Sequence, residues 1–168
     1  LIDEMLELAR GEQMKDRPPT NILQHTKDVI EEIKQVYPSV IINHSLPFQE
    51  EIIIDISSSA YQQIIRNILT NAIRYSKEPA EVAISYEGKP TEVIVHLQDQ
   101  GIGISPSDVS KIFNRFYRVD SARSRDFGGS GLGLSIVKML MENAGGSIFV
   151  TSEKDKGSIF SLVFPLTK

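Results

Sequence analysis

A chain of 168 residues, 40% hydrophobic and 24% charged, is long enough for one domain with a proper core and has an ordinary globular balance. Its 18 basic against 22 acidic residues argue against a non-specific nucleic-acid binder, which needs a basic face to neutralise phosphates. No cysteine is present, so disulfides and thiolate chemistry are excluded, and no apolar run approaches the roughly 20 residues of a spanning helix.

Ile2, Met5, Leu6 and Ala9 share one face, so residues 1–10 read as the end of a helix, and Pro18-Pro19 in a polar stretch mark 11–19 as a linker. Thr20 or Asn21 can cap a helix through about Tyr37, with Ile22, Leu23, Val29, Ile30, Ile33 and Val36 inward. The β-branched segments 40–46 and 51–56 read as a strand pair. Ser57 to Ser59 cap the next helix, whose stripe is Ile64, Ile65, Ile68, Leu69, Ala72 and Ile73. Val82, Ile84 and Tyr86 alternate, Glu-Gly-Lys-Pro turns, and Val93, Val95 and Leu97 alternate again, which predicts a hairpin. Ser105, Pro106 and Asp108 start a short helix. From Asn114 to Ser130 the chain is polar and aperiodic, a loop of a length usually tied to function. Residues 131–144 form a helix closed by Gly145-Gly146, and 147–152 with 157–164 form a last hairpin. The pattern predicts a two-layer α/β sandwich, with a mixed, mostly antiparallel sheet and helices on one face.

Two features stand outside core-building. Asn67 and Asn71 lie one turn apart beside the apolar stripe, although Asn is a mediocre helix former. Glycines cluster at Asp99-Gln-Gly101-Ile-Gly103 and Gly128-Gly129-Ser-Gly131-Leu-Gly133, where backbone N–H groups can approach a ligand closely. A pair of turns is the alternative for each cluster. The dinucleotide pattern fails at Pro106 and Leu134, and the P-loop fails because Leu134, not Lys, follows Gly133.

The order of these pieces resembles one family. An Asn-bearing helix, a strand ending DxGxG, the run Phe113-Asn-Arg-Phe116-Tyr-Arg118 and then GGSGLGLSIVK look like the N, G1, F and G2 boxes of sensor histidine kinases. The resemblance covers about residues 14–168 and implies their catalytic, ATP-binding domain, an α/β sandwich with an ATP lid. It also implies that residues 1–13 are the remnant of a dimerisation and phosphoacceptor hairpin with its linker.

The resemblance implies a site for ATP and Mg²⁺. Asn71 would ligate the metal and Asn67 would support metal or phosphates. Arg74 would pair with phosphate (an exposed helix arginine is the alternative) and Tyr75 would line the nucleotide. Asp99 would accept from the adenine amine, with Gly101, Gly103 and Ile104 against base and ribose. Tyr117 would anchor the lid with Phe113 and Phe116, for which core packing is equally open. Arg118 is the first choice for the γ-phosphate and Arg115 the second. Gly129, Ser130, Gly131, Leu132 and Gly133 would bring backbone N–H groups to phosphate. Lys138 reads as solvent-facing, and Arg123 and Arg125 as lid residues.

In topoisomerase-like relatives a glutamate stands at the place of Asn67 and activates water, whereas an amide cannot take that proton. The resemblance therefore implies a kinase whose acceptor is a histidine on the upstream hairpin, relayed to a response regulator. His25, His44 and His96 do not fit that acceptor. The parent would be a homodimer, anchored in the bacterial membrane with this domain in the cytoplasm. A serine kinase of the anti-sigma-factor type and a non-catalytic binding module are the rival readings.

Overall fold

The computed structural model describes residues 19–47, 51–119 and 130–166. The chain enters through β1 (Thr20–Asn21), and the Asn21 side chain caps α1 (Ile22–Val36) by accepting from Leu23 N–H. Ile22, Leu23, Thr26, Val29, Ile30 and Ile33 recur at three- and four-residue steps and are buried. Tyr37 N–H closes the helix on the Ile33 carbonyl, and Pro38 prevents its continuation.

Helix α2 (Ser58–Arg74) is the centre of the core. Ser57 caps it through Ala60 N–H, and Ala60, Tyr61, Ile64, Ile65, Ile68, Leu69 and Ala72 are buried along its length. It packs against α1, against α4 (Gly133–Asn143) and against the sheet. The fully buried Tyr61 hydroxyl lies 2.7 Å from Thr26 Oγ1. Thr26 already donates its one proton to the Ile22 carbonyl, so Tyr61 is the donor of that bond. Burial pushes the Tyr61 phenol well above its usual range.

The main sheet has five strands: β2 (Ile41–His44), β4 (Glu81–Gly88), β5 (Glu92–Asp99), β6 (Ser147–Glu153) and β7 (Gly157–Pro165). Their order is β2-β4-β5-β7-β6, with β2 parallel to β4 and the other pairs antiparallel. Registers Ile84↔Leu97↔Phe160↔Val150 and Tyr86↔Val95↔Leu162↔Ile148 put these side chains on the face that packs under the helices. The opposite face carries Glu87, His96, Ser161 and the exposed Phe149. Helix α4 ends in a Schellman arrangement, Gly146 N–H to Met141 O and Gly145 N–H to Glu142 O. The short α3 (Pro106–Val109) follows the β5 loop.

Three expectations are corrected. Segments 40–46 and 51–56 do not pair with each other. Ile41 N–H donates to the Ala80 carbonyl and Ser45 N–H to the Ile84 carbonyl, which commits the first segment to β4. The second, as β3 (Ile53–Ile54), is held by β1 and by the bond from Thr20 Oγ1 to the Ile56 carbonyl. Val36 is 69% exposed, because it is the last residue of α1 and the buried stripe already ends at Ile33. The helix expected over 131–144 is shorter, so Gly131 and Leu132 precede it. Ile64→Ala should therefore cost about 2–5 kcal/mol in urea unfolding, whereas Val36→Ala should cost less than about 0.5 kcal/mol.

Candidate functional site

Asn67, Thr70, Asn71 and Arg74 follow one another at three- and four-residue steps, which places them along a single edge of α2. That edge forms one wall of a cleft. Across it lie Gly103 and Ile104 after β5, Tyr117 and Arg118, and Ser130, Gly131 and Gly133 at the start of α4, with Asp99 at the end of β5. Residues far apart in the chain thus meet here because α2 packs on both β5 and α4.

The cleft has two electrostatically different ends. At one, α4 begins without a side-chain cap, whereas Asn21 and Ser57 cap α1 and α2. An uncapped first turn leaves N–H donors and the positive end of the helix dipole for an anion. The first residue of α4 faces the two amides. A Cβ placed on Gly133 would stand 3.9 Å from Asn67 Cγ and 4.0 Å from Asn71 Nδ2. Asn67 Nδ2 donates to the Gly133 carbonyl at 3.4 Å, and the Asn71 side chain has no hydrogen bond among the described residues. Arg74, half-buried in this wall, has no acidic partner among them either. The exposed-arginine alternative for Arg74 does not hold.

At the other end Asp99 is 7% exposed. Its Oδ1 accepts from Gly101 N–H at 2.8 Å, and the backbone amide of Ser158 also favours the charged carboxylate. Burial nevertheless pushes its pKa up, against the opposite pull of those two backbone amides. Ile104, Ile112 and Phe160 supply apolar walls nearby.

The glycines after Asp99 are required by the protein's own backbone. A Cβ on Gly101 would lie 2.6 Å from the Tyr75 carbonyl and 2.9 Å from Asp99 Oδ1, and one on Gly103, at φ +65°, would overlap the Glu153 carbonyl. These contacts seat the loop between the end of α2 and the last hairpin, and Ile102 N–H donates to the Tyr75 carbonyl. Gly101 itself does not line the cleft.

The aromatic run divides. Phe113 packs against the core, whereas Phe116 is 56% exposed, with φ +63° and its N–H on the Gly131 carbonyl. The Tyr117 hydroxyl donates to Asp108 Oδ1 at 2.6 Å and Ser105 Oγ to Oδ2 at 2.7 Å. These two bonds, Ser105 first, hold the Asp108 carboxyl below its ordinary value. Arg118 lines the cleft, whereas Arg115 is exposed and does not. Leu132, expected at the phosphates, is fully buried as a core side chain. Lys138 is exposed, 3.9 Å from Glu142. Gly129, Arg123 and Arg125, with residues 120–129 of the loop expected over Asn114–Ser130, lie outside the described residues. Histidines 25, 44 and 96 lie in α1, β2 and β5, away from the cleft lining.

Thr70, Ile112, Ser158 and Phe160 line the cleft without a motif to announce them. The Thr70 hydroxyl is held by the Arg66 carbonyl of its own helix, and Ser158 and Phe160 belong to an ordinary alternating strand. Burial alternation could have found Phe160 as a core residue, but not as a wall of the site. For a metal, no group of three or more His, Asp or Glu side chains gathers among the described residues. Two amide oxygens fit a hard cation that brings its other oxygen ligands with it, and not a cation held by the protein alone.

Comparison with known proteins identifies the family and the fold. Residues 56–168 match the family described as histidine kinase-, DNA gyrase B- and HSP90-like ATPases. The chain is 33% identical over 167 residues to the signal transduction histidine-protein kinase ArlS of Staphylococcus aureus, covering 98% of this chain and 37% of that protein. It is homologous to the ATP-binding catalytic domain of such kinases. The fold matches the mycobacterial sensor histidine kinase MprB, with TM-score 0.78 and 23% identity over 90% of this chain and 98% of that one. It also matches ShkA, solved full-length with AMPPNP, with TM-score 0.80 and 24% identity over 99% of this chain and 35% of that one. No helix among the described residues is long and apolar enough to cross a membrane.

The raised pKa of Asp99 has a direct consequence for stability. The folded state takes up its proton at a higher pH than the unfolded state, so the cost of the buried charge is present at neutral pH and relieved as pH falls. Asp99→Asn should then be at least as stable as the parent at neutral pH. The advantage should fade as pH falls through the raised pKa towards that of an ordinary carboxylate. Urea midpoints across that range check this, and a variant less stable at neutral pH would contradict it.

Proposed function

The chain belongs to the family of histidine kinase-, DNA gyrase B- and HSP90-like ATPases, and on that premise we propose that it is the ATP-binding catalytic domain of a sensor histidine kinase. The observation that carries this reading is the uncapped start of α4 facing Asn67 and Asn71. It offers a triphosphate N–H donors on one side and metal-ligating amides on the other.

In this reading Asp99 accepts from the exocyclic amine of adenine, and Ile104, Ile112 and Phe160 flank the base. Tyr75 and the backbone around Gly103 border the nucleoside, with Gly101 holding that loop in place. Arg74 and the N–H groups of residues 129–133 bind phosphate oxygens. Tyr117 supports the wall from which Arg118 meets charge developing on the γ-phosphate. Arg115 keeps a lesser claim, because its exposed position needs a rearrangement to reach the cleft. Asn71, with Asn67, would hold Mg²⁺, which would neutralise charge on the phosphates.

The acceptor is an imidazole nitrogen on a helical hairpin, residues 1–13 being read as the hairpin's remnant and linker and 14–168 as the catalytic domain. The nitrogen lone pair forms the new N–P bond as the bond from the γ-phosphorus to the bridging oxygen breaks and ADP leaves. Asn67 cannot accept a proton from water, so ATP waits for that nucleophile. The phosphoryl group then passes to a response regulator. We read the parent as a homodimer, membrane-anchored, with this domain on the cytoplasmic side.

Two outcomes test the reading. Asp99→Asn should weaken ATP binding by roughly 1–3 kcal/mol in calorimetry. With labelled ATP, the chain should turn over little alone and should label an added hairpin protein in trans, and Asn71→Ala should abolish that transfer. Rapid hydrolysis by the chain alone, or label on His25, His44 or His96, would count against it.

A further inference from the structure

Ser152, on β6, ties together three segments around the base end of the cleft. Its Oγ accepts from Ile104 N–H at 2.8 Å and lies 2.9 Å from both the Gly157 carbonyl and Ser158 Oγ. A serine hydroxyl has one proton and two acceptor positions. The carbonyl of Gly157 can only accept, so the Ser152 proton points there. The remaining contact is then a hydrogen bond only when Ser158 donates its own proton to Ser152. Ser158 is 6% exposed and lines the cleft together with Asp99. The segment is pressed onto the end of β5, since a Cβ on Gly157 would overlap the Asp99 carbonyl. Ser158 and Asp99 line the same cleft, so the Ser158 hydroxyl joins the carboxylate at that end with lone pairs to present and no proton.

We propose that Ser152 is a specificity-determining positioning residue: by taking the Ser158 proton it makes the base end of the cleft acceptor-only, which favours an amine over a carbonyl at the base edge. The inference rests on the adenine-nucleotide reading above. Adenine brings two N–H donors on its exocyclic amine, whereas guanine brings an oxygen that meets acceptors on both sides. With Ser152 removed, the Ser158 hydroxyl can turn and donate, and the penalty against guanine falls. Ser152 touches no nucleotide in this account. It acts through the direction of another residue's hydroxyl.

The test measures Kd for Mg-ATP and Mg-GTP on the parent, Ser152→Ala, Ser152→Thr, Ser158→Ala and the double alanine variant, with circular dichroism as the check on folding. The ATP preference over GTP should fall on the order of two- to tenfold in Ser152→Ala. Ser152→Thr, which keeps the hydroxyl, should restore it. In the Ser158→Ala background, Ser152→Ala should produce no further change. An unchanged preference in folded Ser152→Ala, or the same loss with Ser158 already absent, overturns the proposal. Should Ser152→Ala not fold, Ser152→Cys, similar in volume with a weak hydrogen-bonding group, is read the same way. Failure of the parent to bind ATP would instead overturn the reading beneath it, and shows before any variant is compared.

Discussion

The seating of α2 is the constraint on which the rest depends. Ile64, Ile65, Ile68 and Leu69 are all essentially inaccessible, so the helix has no freedom to rotate without exposing core. Its rotation in turn fixes where Asn67, Thr70, Asn71 and Arg74 point, because those residues occupy the adjoining edge of the same cylinder. The end of α2 also fixes the loop after Asp99, through the Tyr75 carbonyl that receives Ile102 N–H and presses on Gly101. One packed helix thus positions the phosphate-side amides and, by its last carbonyl, the base-side carboxylate.

The two ends of the cleft carry opposite costs. A buried carboxylate is unfavourable until a donor meets it, and an uncapped helix start is unfavourable until an anion meets it. Core packing on both sides holds the helix start and the incompletely satisfied carboxylate in place. The arrangement stores complementarity for a ligand with an amine at one end and phosphates at the other. A local loss of stability at such positions is the usual companion of preorganised binding.

Much of this was legible in the residues because it is local. The hairpins β4–β5 and β6–β7 announce themselves by alternation around short turns, and the Asn pair and glycine runs by spacing along one helix or loop. The pairing of β2 was not legible. Its four residues suit any β neighbour, and the choice of β4 depends on chain geometry some forty positions away. The exposure of Val36 also escaped, since its spacing fits the stripe although the buried part of α1 ends one turn earlier, at Ile33. At the site, Ser152 and Ser158 were invisible for a chemical reason. A hydroxyl in a strand has no period, and its importance lies in which neighbour takes its single proton.

The central claim is that the α4 start and the α2 amides together hold the metal–triphosphate end of a nucleotide. Paramagnetic relaxation by Mn²⁺, followed by NMR on the labelled chain, reads this most directly. With ATP present, Mn²⁺ should broaden the side-chain amides of Asn67 and Asn71 and the backbone N–H groups of Gly131 and Gly133, while the sheet face bearing His96 and Phe149 stays sharp. Without nucleotide the same Mn²⁺ should leave those signals nearly untouched. Broadening centred elsewhere, or equal broadening with and without ATP, would contradict the account.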